Sequence, residues 1–241
     1  MMASLSNQPA TGTVAENIAQ IRKNILAASQ RVGRDSSRVR LIAATKTVQT
    51  PKLHQAYAAG IRTFGENRLQ EAQEKMDQFG PREGLEWHFI GRMQRRKLKA
   101  IVGNFVLLHS VESVVQAQAI NALAVDQGIQ QPVLLEVNLA GESSKGGFSR
   151  DELKQSMPVL DQLSNVAIRG LMTLPPRTSK PEGARPFFAQ LGELKDDLAS
   201  AAWNRIHLEE LSMGMSHDYE VAVEEGATMV RIGSAIFGPR S

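Results

Sequence analysis

The chain has 241 residues, of which 42% are hydrophobic and 22% are charged, and its formal net charge at pH 7 is +3. This composition supplies enough apolar material for a sizeable core, and an α/β barrel of about 250 residues would use the whole length. The absence of cysteine excludes disulfides, thiol nucleophiles and cysteine metal sites, and the small charge without a basic, aromatic-rich stripe argues against a nucleic-acid-binding protein.

The N-terminal region predicts a disordered leader followed by a helix. Residues 1–13 are small and polar and contain Pro9 and Gly12, which favours disorder. Between Val14 and about Arg31, apolar residues recur at helical spacing. No apolar run reaches the length of a membrane span, about 20 residues, and no signal-type apolar core follows a basic start, so we expect a cytoplasmic protein.

After this helix, short apolar runs alternate with helical segments. The runs are residues 39–45, 63–64, 87–90, 105–108, 132–138, 166–172, 207–211 and 229–232. The helical segments begin near residues 51, 67, 94, 111, 150, 186 and 216. This alternation indicates βαβ units and predicts a single (β/α)8 barrel of the TIM type over residues 14–241, with an extra N-terminal helix and no second β domain. An open doubly wound sheet is the alternative, but no G-x-G-x-x-G follows the first strand.

In such a barrel the functional site forms at the carboxyl ends of the strands. Two of these ends carry turns rich in glycine and hydroxyl groups, Ser212-Met-Gly-Met-Ser216 after the seventh strand and Gly233-Ser234 after the eighth. Exposed backbone N–H groups in such turns, followed by a helix N-terminus, can hold a phosphate group. The two turns therefore predict a protein that binds a phosphorylated small molecule.

Lys46, at the end of the first strand, is the candidate reactive amine. Partial burial lowers the pKa of a lysine and so favours the neutral amine that attacks a carbonyl group. A lysine facing a phosphate site across the barrel mouth fits a pyridoxal phosphate pocket. The alternative for Lys46 alone is a lysine that points into solvent. Lys145, in a later glycine-rich loop, is a less favoured candidate for a second amine.

Seven segments of the chain resemble the pyridoxal phosphate homeostasis protein family, whose fold is similar to the barrel domain of alanine racemase. They follow the family's order from the first strand almost to the C-terminus, and their combination is highly specific. The segments are Ala43-Ala-Thr-Lys-Thr47, Phe64-Gly-Glu-Asn-Arg68, Trp87-His-Phe-Ile-Gly91, Gln94 with Lys97, Gly170-Leu-Met172, Ser212-Met-Gly-Met-Ser216 with Asp218, and Val230-Arg-Ile-Gly-Ser-Ala-Ile-Phe-Gly238. One departure is Arg96, where the family usually has asparagine.

The resemblance implies roles for individual residues around a pyridoxal 5'-phosphate cofactor. Lys46 would form the Schiff base with it, and Arg231 would face the pyridine nitrogen. A cation at that place disfavours protonation of the nitrogen and weakens the ring as an electron sink. Five residues of the two C-terminal turns would surround the phosphate, namely Ser212, Gly214, Ser216, Gly233 and Ser234. Three further residues would line the pocket, namely Asn67 near the ring and His88 and Met172 at its mouth.

Two functions remain open, a cofactor carrier and a racemase or other weak pyridoxal phosphate enzyme. Racemisation needs an acid or base group on each face of the substrate carbon, and in the racemase that the chain resembles a partner's β domain supplies the second group as a tyrosine. Tyr57 and Tyr219 are the only tyrosines here, and both fall in expected helices. We therefore favour a monomer without catalytic residues that buffers pyridoxal phosphate, or delivers it to apo-enzymes, in vitamin B6 and amino-acid homeostasis.

The histidines give no sign of a metal site. The five of them are scattered, without the i, i+4 spacing or the clustered carboxylates that a metal ion needs. His109 is expected at the edge of a strand or in a loop. We therefore predict no bound metal.

Overall fold

The computed structural model describes residues 12–142 and 146–239, and eight parallel strands form a closed barrel within them. Each strand pairs with the next along the chain, and the last pairs with the first, with Ile42 opposite Arg231. The strands are β1 (Arg40–Ala44), β2 (Thr63–Glu66), β3 (Glu86–Phe89), β4 (Leu107–Val111), β5 (Gln131–Glu136), β6 (Val166–Met172), β7 (Glu210–Ser212) and β8 (Met229–Ile232). The predicted (β/α)8 barrel is confirmed.

Helices connect the strands, and one precedes the first strand as predicted. They are α1 (Val14–Arg31), α2 (Thr50–Ala58), α3 (Leu69–Phe79), α4 (Leu98–Ile101), α5 (Val114–Asp126), α6 (Arg150–Leu160), α7 (Arg185–Ala199), α8 (Tyr219–Glu224) and α9 (Ser234–Phe237). Among the residues that the structure describes, none of these helices combines the length and the apolar character needed to cross a membrane. Most of the predicted leader, and Lys145, lie outside the described residues.

Helix α1 packs over the place where the barrel closes. Its buried face, which includes Ile18, Ile21 and Ile25, lies against α2 of the first unit of the barrel and α8 and α9 of the last two units. Thr13 caps the helix, and its hydroxyl and Glu16 form a reciprocal capping box. Burial of this apolar stripe, rather than intrinsic helix propensity, supplies most of the stability of such a helix.

Only β6 and β8 have the predicted bounds, and among the other strands β4 and β7 extend beyond the predicted apolar run into polar residues. Strand β4 extends to Val111, since backbone pairing with β5 continues from Leu108 to that residue. His109 therefore lies inside a strand and is wholly buried, instead of at a strand edge. Strand β7 includes Ser212, which pairs with Met172 and Met229. Both differences bring polar side chains into the barrel interior.

Candidate cofactor site

Lys46 lies at the carboxyl end of β1, as predicted. The backbone N–H of Thr45 still donates to Gly65 of β2 at 3.0 Å, so strand pairing continues up to the residue before Lys46. Thr47 then has a φ of 62° and is the non-glycine residue with a positive φ within the described ranges. The chain therefore turns sharply after Lys46, which is half-buried at the barrel mouth.

An ionic cluster, here called the Lys75 cluster, lies next to Lys46 and consists of the buried Glu66 and Lys75 and the half-buried Glu71. Lys75 Nζ donates to Glu66 Oε1 at 2.7 Å and to Glu71 Oε1 at 2.6 Å. Glu66 is wholly buried and also accepts a hydrogen bond from Thr45 Oγ1 at 2.6 Å. Burial raises the pKa of the Glu66 carboxyl, while the hydrogen bonds from Lys75 and Thr45 oppose that rise.

Lys75 and Glu71 were not among the predicted site residues, although the sequence carries a signal for Lys75. It lies three residues after Ala72 and four before Phe79, and both of these belong to the apolar face of α3. Helical spacing therefore places the lysine on the buried side of the helix. A lysine on a buried face needs a paired anion, and the two glutamates supply it.

Asn67 follows β2 and presents a buried acceptor to the site. Its Oδ1 has no hydrogen-bond partner among the described residues. The loop after β3 packs closely on it, because a Cβ at Gly91 would lie 2.4 Å from the Asn67 carbonyl oxygen. A buried acceptor without a donor is costly, so a bound molecule with an N–H or O–H group at this place would stabilise the site.

Arg231 of β8 is a fixed cation inside the barrel and is only 4% exposed. Its Nη1 donates to Ser212 Oγ at 2.5 Å and its Nη2 donates to the Thr173 carbonyl at 3.0 Å. Burial lowers the pKa of the guanidinium to about 10, against the opposing effect of Asp218 and Glu136. Arg231 therefore keeps its positive charge at neutral pH.

A row of buried polar side chains, here called the histidine chain, continues inward from Arg231 through Ser212, His109 and His88. His109 Nδ1 lies 2.8 Å from Ser212 Oγ, and its Nε2 lies 3.0 Å from His88 Nδ1. His88 Nε2 in turn lies 3.5 Å from Glu86 Oε2, at the outer limit of a hydrogen bond. Burial lowers the pKa of both histidines, and that of His109 well below its usual value.

One tautomer of each histidine satisfies the contacts from Ser212 to His88, whereas His88 Nε2 has no hydrogen-bond partner among the described residues. With Nε2–H on both rings, Ser212 donates to His109, His109 donates to His88, and His88 points a proton at the Glu86 carboxylate. The opposite tautomers would place an unprotonated nitrogen of His88 against that carboxylate. That repulsion between a lone pair and a negative charge favours the first arrangement.

The turns after β7 and β8 are joined at Ser216. Its Oγ accepts from the N–H groups of Gly233 at 3.3 Å and Ala235 at 3.2 Å, so both donors point at one oxygen atom. Gly214 has a φ of 90°, and a Cβ there would lie 2.5 Å from that of Ala222. A Cβ at Gly233 would lie 3.1 Å from the Ala44 carbonyl oxygen, so this turn lies next to the end of the Lys46 strand.

The remaining predicted residues occupy different depths of the barrel. Ser234 is exposed at the start of α9. Met172, the last residue of β6, is 1% exposed and packs in an apolar layer with Ile42 and Met229. Ser212 Oγ has His109 and Arg231 as its partners. Arg96 is exposed in a short 3₁₀ turn.

Comparison with known proteins agrees with this fold. Residues 17–241 match the alanine racemase N-terminal domain family. An alanine racemase from Clostridium difficile has the same fold, with a TM-score of 0.65 at 16% identity over 96% of this chain and 57% of its own. The barrel therefore belongs to the alanine racemase N-terminal domain class.

More similar proteins identify the particular family. Pyridoxal phosphate homeostasis proteins of Aquifex aeolicus and Pseudomonas aeruginosa are 43% and 41% identical to this chain, over 93% and 95% of it and 97% and 96% of their own lengths. The structure of PipY from Synechococcus elongatus with pyridoxal phosphate bound has a TM-score of 0.84 and 35% identity over 94% of this chain and all of PipY. The chain belongs to the pyridoxal phosphate homeostasis protein family.

Proposed function

We propose that this chain binds pyridoxal 5'-phosphate covalently at Lys46 and takes part in the homeostasis of this cofactor. The observation that carries the proposal is the pairing of β1 with β8, which places the strand of Lys46 beside the strand of Arg231 and the Gly233 turn. An amine, a cation and a pair of converging N–H groups thus share one end of the barrel. The relative PipY was solved with the same cofactor bound.

The residues present fit such a cofactor. The N–H groups of Gly233 and Ala235, with Ser216, Ser234 and the backbone at Gly214, would hold the phosphate. Asn67 Oδ1 would accept from a polar substituent of the ring. When bound, the cofactor supplies an aldehyde that reacts with an amine and a ring that can withdraw electrons. Ser212 contributes by holding Arg231 as well as by its predicted place near the phosphate.

Two features favour a carrier over an enzyme. Arg231 stays charged at neutral pH, and a cation facing the pyridine nitrogen would weaken the ring as an electron sink. Both tyrosine hydroxyls are engaged outside the barrel, Tyr219 with Asn24 at 2.8 Å and Tyr57 with the Glu83 carbonyl at 2.9 Å. Neither tyrosine supplies the second acid or base group that racemisation needs.

The covalent site is tested by trapping the cofactor on the protein. We expect the protein mixed with pyridoxal phosphate to be yellow, and borohydride followed by peptide mass spectrometry to place the adduct on Lys46. Lys46→Ala should lose the adduct, whereas Lys23→Ala, on the exposed face of α1, should retain it. An adduct on another lysine, or none in the wild-type protein, would refute the assignment.

The carrier role is tested by turnover and transfer assays with the same holoprotein. We expect negligible racemase and transaminase rates with common amino acids. A robust rate that disappears in Lys46→Ala would establish an enzyme instead.

We further propose a monomer that delivers the cofactor to apo-enzymes. Transfer faster than release of free cofactor into solution would support delivery, and a rate equal to that release would restrict the protein to buffering.

A further inference from the structure

We propose that Glu71 and Lys75 are positioning residues, which hold the backbone on both sides of Lys46 and thereby aim its side chain at the cofactor. The inference rests on the proposed function, because the direction of Lys46 matters only if its amine reacts there. Both residues belong to α3, and neither is part of the strand or turn that carries Lys46. The helix after β2 would thus control a residue of the first unit of the barrel.

The two contacts flank Lys46 on either side. Lys75 Nζ donates to the carbonyl of Thr45, the residue before Lys46. Glu71 Oε1 accepts from the N–H of Thr47, the residue after it. Both of the peptide units next to Lys46 in the chain are therefore bound by side chains of one helix.

The ammonium group of Lys75 is fully used in this arrangement. It has three N–H donors, and its acceptors are Thr45 O, Glu66 Oε1 and Glu71 Oε1. Lys75 is 6% exposed and Glu66 is wholly buried, so solvent competes little for these bonds. A cation with every donor engaged by a fixed acceptor has one favoured position, and the Thr45 carbonyl is fixed with it.

The turn that follows Lys46 needs such support. Thr47 adopts a left-handed conformation, which is unfavourable for a β-branched residue. Within the turn, Val48 N–H donates to the Thr45 carbonyl at 2.9 Å, and Thr47 Oγ1 donates to the Lys46 carbonyl at 2.6 Å. Glu71 adds the acceptor for the Thr47 N–H from outside the turn. Without it, the conformation that sets the Cα–Cβ direction of Lys46 would be less populated.

A positioning role differs measurably from a merely stabilising one. We would compare the rate of adduct formation at Lys46 with the affinity for 4-deoxypyridoxine 5'-phosphate, which has the ring and phosphate but no aldehyde. Glu71→Ala should slow adduct formation by about tenfold or more, because small misplacements of a reacting group carry penalties of that size. Its affinity for the aldehyde-free analogue should stay within about twofold of wild type.

Two variants serve as controls. Glu71→Gln keeps an amide oxygen that can accept from Thr47 N–H, and it should restore most of the rate. Glu74→Ala removes an exposed glutamate from the same helix and should leave the rate unchanged. Circular dichroism of each cofactor-free variant at the assay temperature would measure its folded fraction.

The possible results separate the positioning role from the proposed function. A wild-type rate in Glu71→Ala would overturn the positioning role. A parallel loss of analogue affinity and adduct rate would also overturn it, because that pattern indicates general damage to the pocket. If the wild-type protein itself formed no adduct at Lys46, the proposed function would fail first. A slow adduct with normal analogue affinity, restored by Glu71→Gln, would establish the role.

Discussion

The Lys46 end and the Arg231 end of the candidate site are held in place by different chemistry. Behind Lys46, the Lys75 cluster uses buried ions to hold backbone atoms. Behind Arg231, the histidine chain uses neutral rings and a hydroxyl to hold a side-chain cation. Charged hydrogen bonds are stronger than neutral ones, but they require that every buried ion be paired.

The chemistry differs because one end holds backbone atoms and the other holds a charged side chain. A backbone segment has no charge of its own, so the ions that hold it can pair with one another. Arg231 carries a charge, and a second cation beside it would repel it, whereas neutral histidines add hydrogen bonds without adding charge. The two ends should therefore fail differently: the Lys46 end when an ion loses its partner, and the Arg231 end when a histidine gains a proton.

The largest effect is expected from Lys75→Met, which removes the cation of the Lys75 cluster. Glu66 would then be buried without a counter-ion, a change that typically costs about 3–5 kcal/mol. Urea denaturation of the cofactor-free protein would measure the loss in unfolding free energy.

Adding Glu66→Gln to Lys75→Met should recover part of this loss, because the unpaired charge is removed. Lys23→Met, on the exposed side of α1, should stay within about 0.5 kcal/mol of wild type. A loss below about 1 kcal/mol in Lys75→Met would contradict the claim that the Lys46 end depends on paired buried ions.

The next largest effect is a pH dependence of the unfolding free energy, caused by the two histidines at the Arg231 end. Burial lowers the pKa values of His88 and His109 in the folded protein. The ordinary pKa of a histidine is about 6.5. As the pH falls through this value, the histidines of the unfolded chain take up protons that those of the folded protein do not. The unfolding free energy therefore decreases as the pH is lowered. Between pH 7.5 and 5.5 each histidine should contribute a loss of up to about 1.4 kcal/mol.

Urea denaturation across this pH range would measure that loss. The double variant His88→Gln and His109→Gln should show a smaller decrease than wild type, because neither glutamine titrates. His207→Gln, at an exposed position, should keep the wild-type pH dependence. An equal decrease in the double variant would show that other groups cause it.

The positions of Arg231 and Lys46 in the barrel follow from the sequence because apolar runs mark strands. The eighth run, residues 229–232, has the same bounds as β8, and it places Arg231 inside the barrel. Lys46 follows the first run directly, so its place at the strand end is also predictable. The roles of these residues toward the cofactor remain predictions.

The parts that sequence did not predict are buried polar groups. His109 was expected at a strand edge because the apolar run ends at Leu108, although backbone pairing continues to Val111. Apolar periodicity does not recognise a strand whose inward side chains are polar. The partners of Lys75 come from α3, from β2 and from Thr45 after β1, and spacing along one helix cannot show which acceptors a fold brings to it.

The smallest expected effect tests the link between the histidine chain and Arg231. Ser212→Ala leaves a donor of Arg231 and the Nδ1 of His109 without their shared partner, which should lower the unfolding free energy by about 1–2 kcal/mol. Ser156→Ala, at a half-buried position of α6 whose hydroxyl bonds only the Glu152 carbonyl of its own helix among the described residues, should change it by less than about 0.5 kcal/mol. If Arg231 depends on this hydroxyl, the absorption spectrum of the holoprotein should also change in Ser212→Ala, since the cation proposed to face the ring would move. An unchanged spectrum together with the stability loss would mean that the Thr173 carbonyl alone holds Arg231. Backbone atoms would then be involved at both ends of the site, and the two ends would differ less in chemistry than their contacts indicate.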